Sequence, residues 1–371
     1  MNKGKLLTLL SVAVIVSSAC SPPASVNQNQ AVNREQTSAV TVPAIAPETG
    51  FIYTADAEGN SISVIALGSG QVKTVPVRIS PHNVQVSRDG RLILAVGMLA
   101  GTKMSEDDSD TEKRGSEAMQ KGRLLIFDAA TMSADGAADI EVGSEPAHVI
   151  IDLQGKSAYV TNAEDDTISV VDVNERKITR EIKTGKSPHG LRMSPDGREI
   201  YVANTGDDSV SVIDVAGAKE VARIPVGKAP AQVGFTPDGR RVYVSSTTEN
   251  SISVVDTATR RQVASVPVGR KPIQVFATPD GRYVYAANEG TKDNSDNTAS
   301  VIDTVTNKVI ATVETGKGAH GAVVSDDGSR AFVANTIDGT VSVIDTATQR
   351  VTRNIKVGAG SGCISFRSAK Q

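Results

Sequence analysis

The chain has 371 residues, of which 3% are aromatic and none is Trp, and a formal net charge of −3 at pH 7. That charge gives no global pull toward nucleic acid, so a nucleic-acid partner is not expected. So few aromatic residues argue against a stacking groove for single strands or sugars.

Met1 to Cys20 begins with Lys3 and Lys5, continues as an uncharged run from Leu6 to Ala19, and ends on Cys20. A charged start, a short apolar core and small residues at the end predict a secretory signal over residues 1–20 rather than a transmembrane helix. The stretch Ser17-Ser18-Ala19-Cys20 resembles a bacterial lipoprotein processing site, with Ser17 standing where leucine is usual. The resemblance implies that Cys20 becomes the lipidated first residue. It also implies an N-terminal lipid anchor in the bacterial cell envelope, facing periplasm or cell surface. Ser21 suits outer-membrane sorting in a Gram-negative cell. The alternative is an ordinary cleaved signal with an incidental cysteine. Once Cys20 is lipidated, Cys363 has no partner for an internal disulfide. Residues 21–50 are rich in Pro, Ser, Gln, Asn and Ala and read as a flexible linker without chemistry of its own.

From Phe51 onward the chain repeats itself about every forty residues. The clearest copy runs from Arg198 to Gly239. It has apolar runs at Ile200–Ala203, Val210–Val215, Val221–Val226 and Gln232–Phe235, separated by Gly-, Asp- and Pro-bearing turns. Runs this short, rich in β-branched residues, are strands and not helices. One repeat is therefore a four-stranded antiparallel meander. Copies start near Phe51, Arg91, Lys156, Arg198, Arg240, Arg282 and Ser329, which makes seven. The expected fold is all-β: a seven-bladed β-propeller of four-stranded antiparallel blades over residues 51–371. Without Trp, its blades are expected to pack through Val, Ile and Ala. The N-terminal blade supplies three strands, and the lone C-terminal strand Cys363–Arg367 is expected to complete it and close the ring.

Tyr159-Val160-Thr161-Asn162 reads YVTN literally, and Tyr201–Asn204 and Phe332–Asn335 are close variants. The sequence resembles the bacterial YVTN-repeat seven-bladed propellers over essentially residues 51–368. That architecture hosts binding proteins, structural proteins and enzymes alike, so the resemblance speaks to fold more than function.

Calling the strands of a blade A to D from the axis outward, the D-to-A and B-to-C loops share one face. The B-to-C loops are expected to carry acidic residues there, among them Asp56, Glu58, Asp165, Asp207, Asp208 and Asp296. The opposite face gathers Arg91, Lys156, Arg198, Arg240 and Arg282. Turn chemistry by itself accounts for much of this pattern. Two insertions also fall on the first face. Gly97–Gly122 in blade two carries Glu106, Asp107, Asp108, Asp110 and Glu112, and a shorter loop, Glu289–Asn297, lies in blade six. Long loops on a rigid scaffold are common recognition sites.

The chain has four histidines, His82, His148, His189 and His320, and each stands at the start of an innermost strand. Equivalent slots are assigned to Gln232 and Gln274 at the channel mouth and to Cys363 in the closing strand. His148 is offset by one residue from the other three. Imidazole and thiolate are ligands for copper, zinc and haem iron. Propellers of related architecture, in nitrous-oxide reductase and in the haem-binding domain of nitrite reductases, hold metal centres with histidines at this position. Those copper centres use more histidines, and no CxxCH motif occurs here. The default expectation is no cofactor, with a divalent metal or haem as the alternative. No P-loop, HExxH or dinucleotide fingerprint occurs. The leading expectation is a monomeric, lipid-anchored scaffold that binds an envelope protein or small-molecule ligand on its histidine-bearing face. A metal- or haem-handling propeller and a lactonase- or lyase-like enzyme are the alternatives.

Overall fold

The computed structural model describes residues 49–101, 120–133 and 136–369. The signal segment with Cys20, most of the linker and the acidic cluster Glu106–Glu112 lie outside these residues. The chain divides into two units, Met1–Ala46 and Pro47–Gln371, and the second holds all the described residues.

Seven four-stranded antiparallel sheets make up this unit, as the repeat predicts. Blade two comprises Ile79–Val86, Leu92–Leu99, Lys121–Asp128 and Ala138–Ser144, and blade three runs from Pro146–Ile151 to Lys177–Lys183. Blade four comprises Pro188–Met193, Glu199–Asn204, Ser209–Asp214 and Lys219–Pro225. Blades five, six and seven open with Pro230–Phe235, Pro272–Ala277 and Ala319–Val324. Blade one has the strand order Ser361–Arg367, Phe51–Asp56, Ser61–Ala66, Gln71–Pro76. The closing strand lies antiparallel to the first strand, with Tyr53 opposite Ser365. The chain ends thus meet within one blade, and no sheet is left incomplete. The seven A strands pack against one another around the axis.

The YVTN asparagine shows why the repeat looks as it does. In blade four Asn204 closes strand B, and its Nδ2 donates to Ser209 and Ser211 at 2.9 Å each. Asn335 does the same to Thr340 and Ser342. This ties strand B to strand C beneath the loop. The glycine of the D-to-A loop sits directly on the asparagine: a Cβ at Gly185 would lie 2.5 Å from Asn204. The strand-B asparagine and the loop glycine are therefore one device.

Two expectations need correction. Val, Ile and Ala do fill the blades, but the largest fully buried side chains include Tyr53, Tyr201, Tyr243, Tyr285, Phe127 and Phe332. The scarce aromatics are concentrated on strands B and C, where neighbouring blades need volume. Asp56 and Asp296 are not surface acids, being 0% and 5% exposed. Asp56 occupies the asparagine position of blade one and accepts from Thr54, Ser61 and Ser63. Burial pushes its carboxyl up, against the hydrogen bonds that lower it.

Candidate functional site

Each A strand begins opposite the last residues of strand B and then takes in one extra residue. In blade four Pro188 opposes Asn204 and Leu191 opposes Val202, so His189 and Gly190 together face Ala203. Blades two and seven shift in the same place, around His82 and His320. Such a bulge re-aims side chains, so that successive residues both reach the lumen.

This register revises the slot assignment. His82, His189 and His320 share the first bulge position. Gln232, Gln274 and Cys363 stand one residue further on, with His148. The two positions form one polar tier. The ring centroids of His82 and His148 are 5.4 Å apart, those of His82 and His189 5.1 Å, and those of His148 and His189 4.9 Å.

The tier is wired between blades. His82 Nδ1 donates to the Ala147 carbonyl at 2.8 Å, and His189 Nδ1 donates to the Ala231 carbonyl at 2.9 Å. Each bond links a histidine to the next blade and fixes the proton on Nδ1, which leaves His82 Nε2 unprotonated. Burial, reinforced by the neighbouring imidazoles, lowers the His82 pKa to about 3. The same causes hold His148 well below its ordinary value. Both rings are therefore neutral.

His320 differs. Its Nδ1 donates to Glu289 Oε1 at 2.7 Å, and Lys271 Nζ lies 3.0 Å from Glu289 Oε2. Burial works to lower the His320 pKa, but Glu289 and a hydrogen bond to Cys363 outweigh it and raise it to about 10. The Glu289 carboxyl, despite burial, is held down to about 2 by His320 and Lys271. Glu289 belongs to strand B of blade six, Tyr283–Gly290, and not to a loop as expected. The short insertion there continues the hairpin, with Gly290 opposite Ser295.

Cys363 is fully buried at the centre of these contacts. Gln274 Oε1 accepts from the Ala322 N–H at 3.1 Å, which turns its Nε2 onto the sulfur at 3.0 Å. Gln232 Oε1 accepts from Val233 N–H, so its Nε2 donates to His148 Nδ1 at 3.3 Å. That places the His148 proton on Nε2, 3.9 Å from the sulfur. Asn83, which sequence reasoning did not single out, occupies the same bulge position, and its Oδ1 accepts from the Val149 N–H. Its place beside His82 was the available signal.

The candidate ligand atoms of His82, His148 and Cys363 lie within 4.8 Å of one another. Cys363, His320 and Glu289 also form a connected series of thiol, imidazole and carboxylate, but His320 is held protonated and is no base. The sulfur is wholly enclosed.

The fold and this tier define a closed propeller with a hydrogen-bonded imidazole–thiol cluster in its channel. The chain belongs to the YNCE-like beta-propeller family, whose model matches residues 135–330. A comparison with curated proteins finds no match. Among solved structures it is similar to hydrazine synthase of Kuenenia stuttgartiensis, at 19% identity and TM-score 0.64 over 78% of this chain and 96% of that one. It is similar to a Bacteroides uniformis protein provisionally assigned as a 6-phosphogluconolactonase, at 15% and 0.66 over 86% and 100%. The dihydro-haem d1 dehydrogenase NirN, solved with DHE, matches at 14% and 0.61 over 87% and 76%. Identities this low establish a shared fold and no shared activity.

Proposed function

We propose that the protein is a lipid-anchored envelope propeller that binds a soft or borderline transition-metal ion, copper(I) or zinc(II), in its channel. The observation that carries this reading is the convergence of His82, His148 and Cys363 within 4.8 Å. His82 has the arrangement of a metal-binding imidazole, with Nδ1–H held by a carbonyl and Nε2 left for the ion. A thiolate beside imidazoles suits soft or borderline metals. His148 has to move its proton from Nε2 to Nδ1 to join them, and Gln232 must then turn its amide. His320, protonated by its pairing with Glu289, stays outside the ligand set and supplies positive charge beside the sulfur. The spacing of the rings favours an ion over a haem, since a macrocycle has no room among imidazoles about 5 Å apart. The related NirN structure supports haem chemistry only by likeness of fold.

The test is calorimetric titration of the propeller with copper(I) under reducing conditions, with zinc(II) and with haem. Saturable binding of one ion per chain is expected, at least about a hundredfold weaker in Cys363→Ser. No saturable ion binding in the wild type overturns the metal reading and leaves the scaffold reading, a propeller that recognises an envelope partner on its histidine face. The anchor has its own test. Cys20→Ser should move the protein from the membrane to the soluble envelope fraction. A variant that stays in the salt-washed pellet contradicts lipidation.

A further inference from the structure

Below the bulge the A strands resume strict alternation, so the next inward residue lies two positions on. After Gly190 this is Arg192, and its counterparts include Gln85, Ile150, Phe276, Val323 and Ser365, none of them charged. Together they line a cavity of about 310 Å³ at the lower mouth, opposite the histidine tier.

Arg192 is the anomaly in this cavity. Its Nη1 is buried and has no hydrogen-bond partner. Leaving a buried guanidinium nitrogen without a partner is costly, and an anion entering the cavity would relieve that cost. Burial lowers the Arg192 pKa, with the Cys363 sulfur as the opposing influence. That sulfur already receives N–H groups from Gln274, His148 and His320. The charged groups at the rim do not supply the anion either. Asp152 is engaged by the N–H groups of Gln154, Lys156 and Ser157, and Arg88 and Asp326 are exposed. Apart from Gln85 and Ser365 the rest of the wall is apolar, through Ile150, Met193, Phe276 and Ile364.

We propose that this lower cavity binds a small organic monocarboxylate, with the carboxylate on the Arg192 guanidinium and the apolar body against Ile150, Met193, Phe276 and Ile364. A guanidinium fork matches a carboxylate in two parallel hydrogen bonds. The volume stands at the small end of ligand pockets, which suits a single ring or a short chain. With Arg88 exposed at the rim, Arg192 is the one cation of the inner wall, and together with the rim aspartates this disfavours a dianion such as phosphate. The proposal stands independently of the metal reading.

The experiment is calorimetry and thermal melting of the propeller with benzoate and hexanoate, using benzyl alcohol and inorganic phosphate as controls. Both carboxylates should bind saturably, one per chain. Benzyl alcohol and phosphate should bind at least about tenfold more weakly. Arg192→Met should abolish benzoate binding while melting no lower than wild type without ligand, because it removes a buried nitrogen that has no partner. Arg192→Lys keeps the charge but loses the fork and should weaken binding about fivefold or more. No benzoate binding or a preference for phosphate would overturn the proposal. Should Arg192→Met fail to fold, undiminished binding in Arg192→Lys would do the same.

Discussion

The two mouths of the channel are built by the same seven strands, two residues apart, yet they treat polar groups in opposite ways. At the upper tier the polar groups answer one another: carbonyls fix His82 and His189, Glu289 fixes His320, and two glutamines orient His148 and Cys363. At the lower tier one guanidinium stands among apolar side chains with Nη1 unanswered. A satisfied buried network rigidifies and specifies geometry, whereas an unsatisfied charge asks for a ligand. Equivalent repeat positions are thus free to hold either arrangement, because the outer strands carry the fold.

The harshest way to break the contrast is to remove both tiers at once. Deleting residues 361–371 takes away the inner strand of blade one, and with it Cys363 above and Ser365 below. We expect loss of cooperative unfolding and aggregation, because the edges of blade one and its neighbours become exposed. A soluble truncation melting at the wild-type temperature would contradict the closure seen here.

A smaller change strikes the upper tier alone. His320→Gln leaves the Glu289 carboxylate paired only with Lys271 and should cost about 2 kcal/mol near pH 6. The pH dependence follows from the two shifts. His320, raised from 6.5 to about 10, contributes stability that is full below pH 6.5 and lost as the pH rises through about 10. Glu289, lowered from 4.5 to about 2, contributes stability that is present above pH 4.5 and lost as the pH falls through about 2. The gap between wild type and variant in denaturant melts should therefore be widest between pH 4.5 and 6.5 and narrow toward pH 10. A constant gap would show that the pair is not charged.

The mildest probe sharpens the tier instead of breaking it. Gln232→Glu replaces the amide that donates to His148 Nδ1 with a carboxylate that accepts from it. Nε2 is then left for an ion, and copper(I) or zinc(II) affinity should rise about tenfold in titration. Unchanged or weaker affinity would mean that His148 is not a ligand.

Much of this architecture could be read from the sequence, because the devices of a blade recur in most copies. The strand-B asparagine, the loop glycine and the DG turns mark strand ends by residue type, and the closing strand betrays itself by being alone. The bulge was harder to see. It adds a residue without a signature of its own, so spacing from the strand start set Gln232, Gln274 and Cys363 beside the wrong histidines. Glu289 looked like part of a loop because the hairpin extension that carries it is polar. Arg192 escaped notice for the opposite reason: its counterparts in other blades share no chemistry, and only packing around the axis brings them together.

Blade one is the last part of the ring that synthesis can finish. Its outer three strands are made first, but they wait through six further blades for Ser361–Arg367. The same strand delivers Cys363 to its partners from blades three, six and seven. Until then the thiol remains on an unpaired tail, open to oxidants and to any thiol-seeking metal. Ring closure is therefore also the step that withdraws the sulfur from uncontrolled chemistry, and a chain stalled short of residue 363 carries neither the site nor the liability.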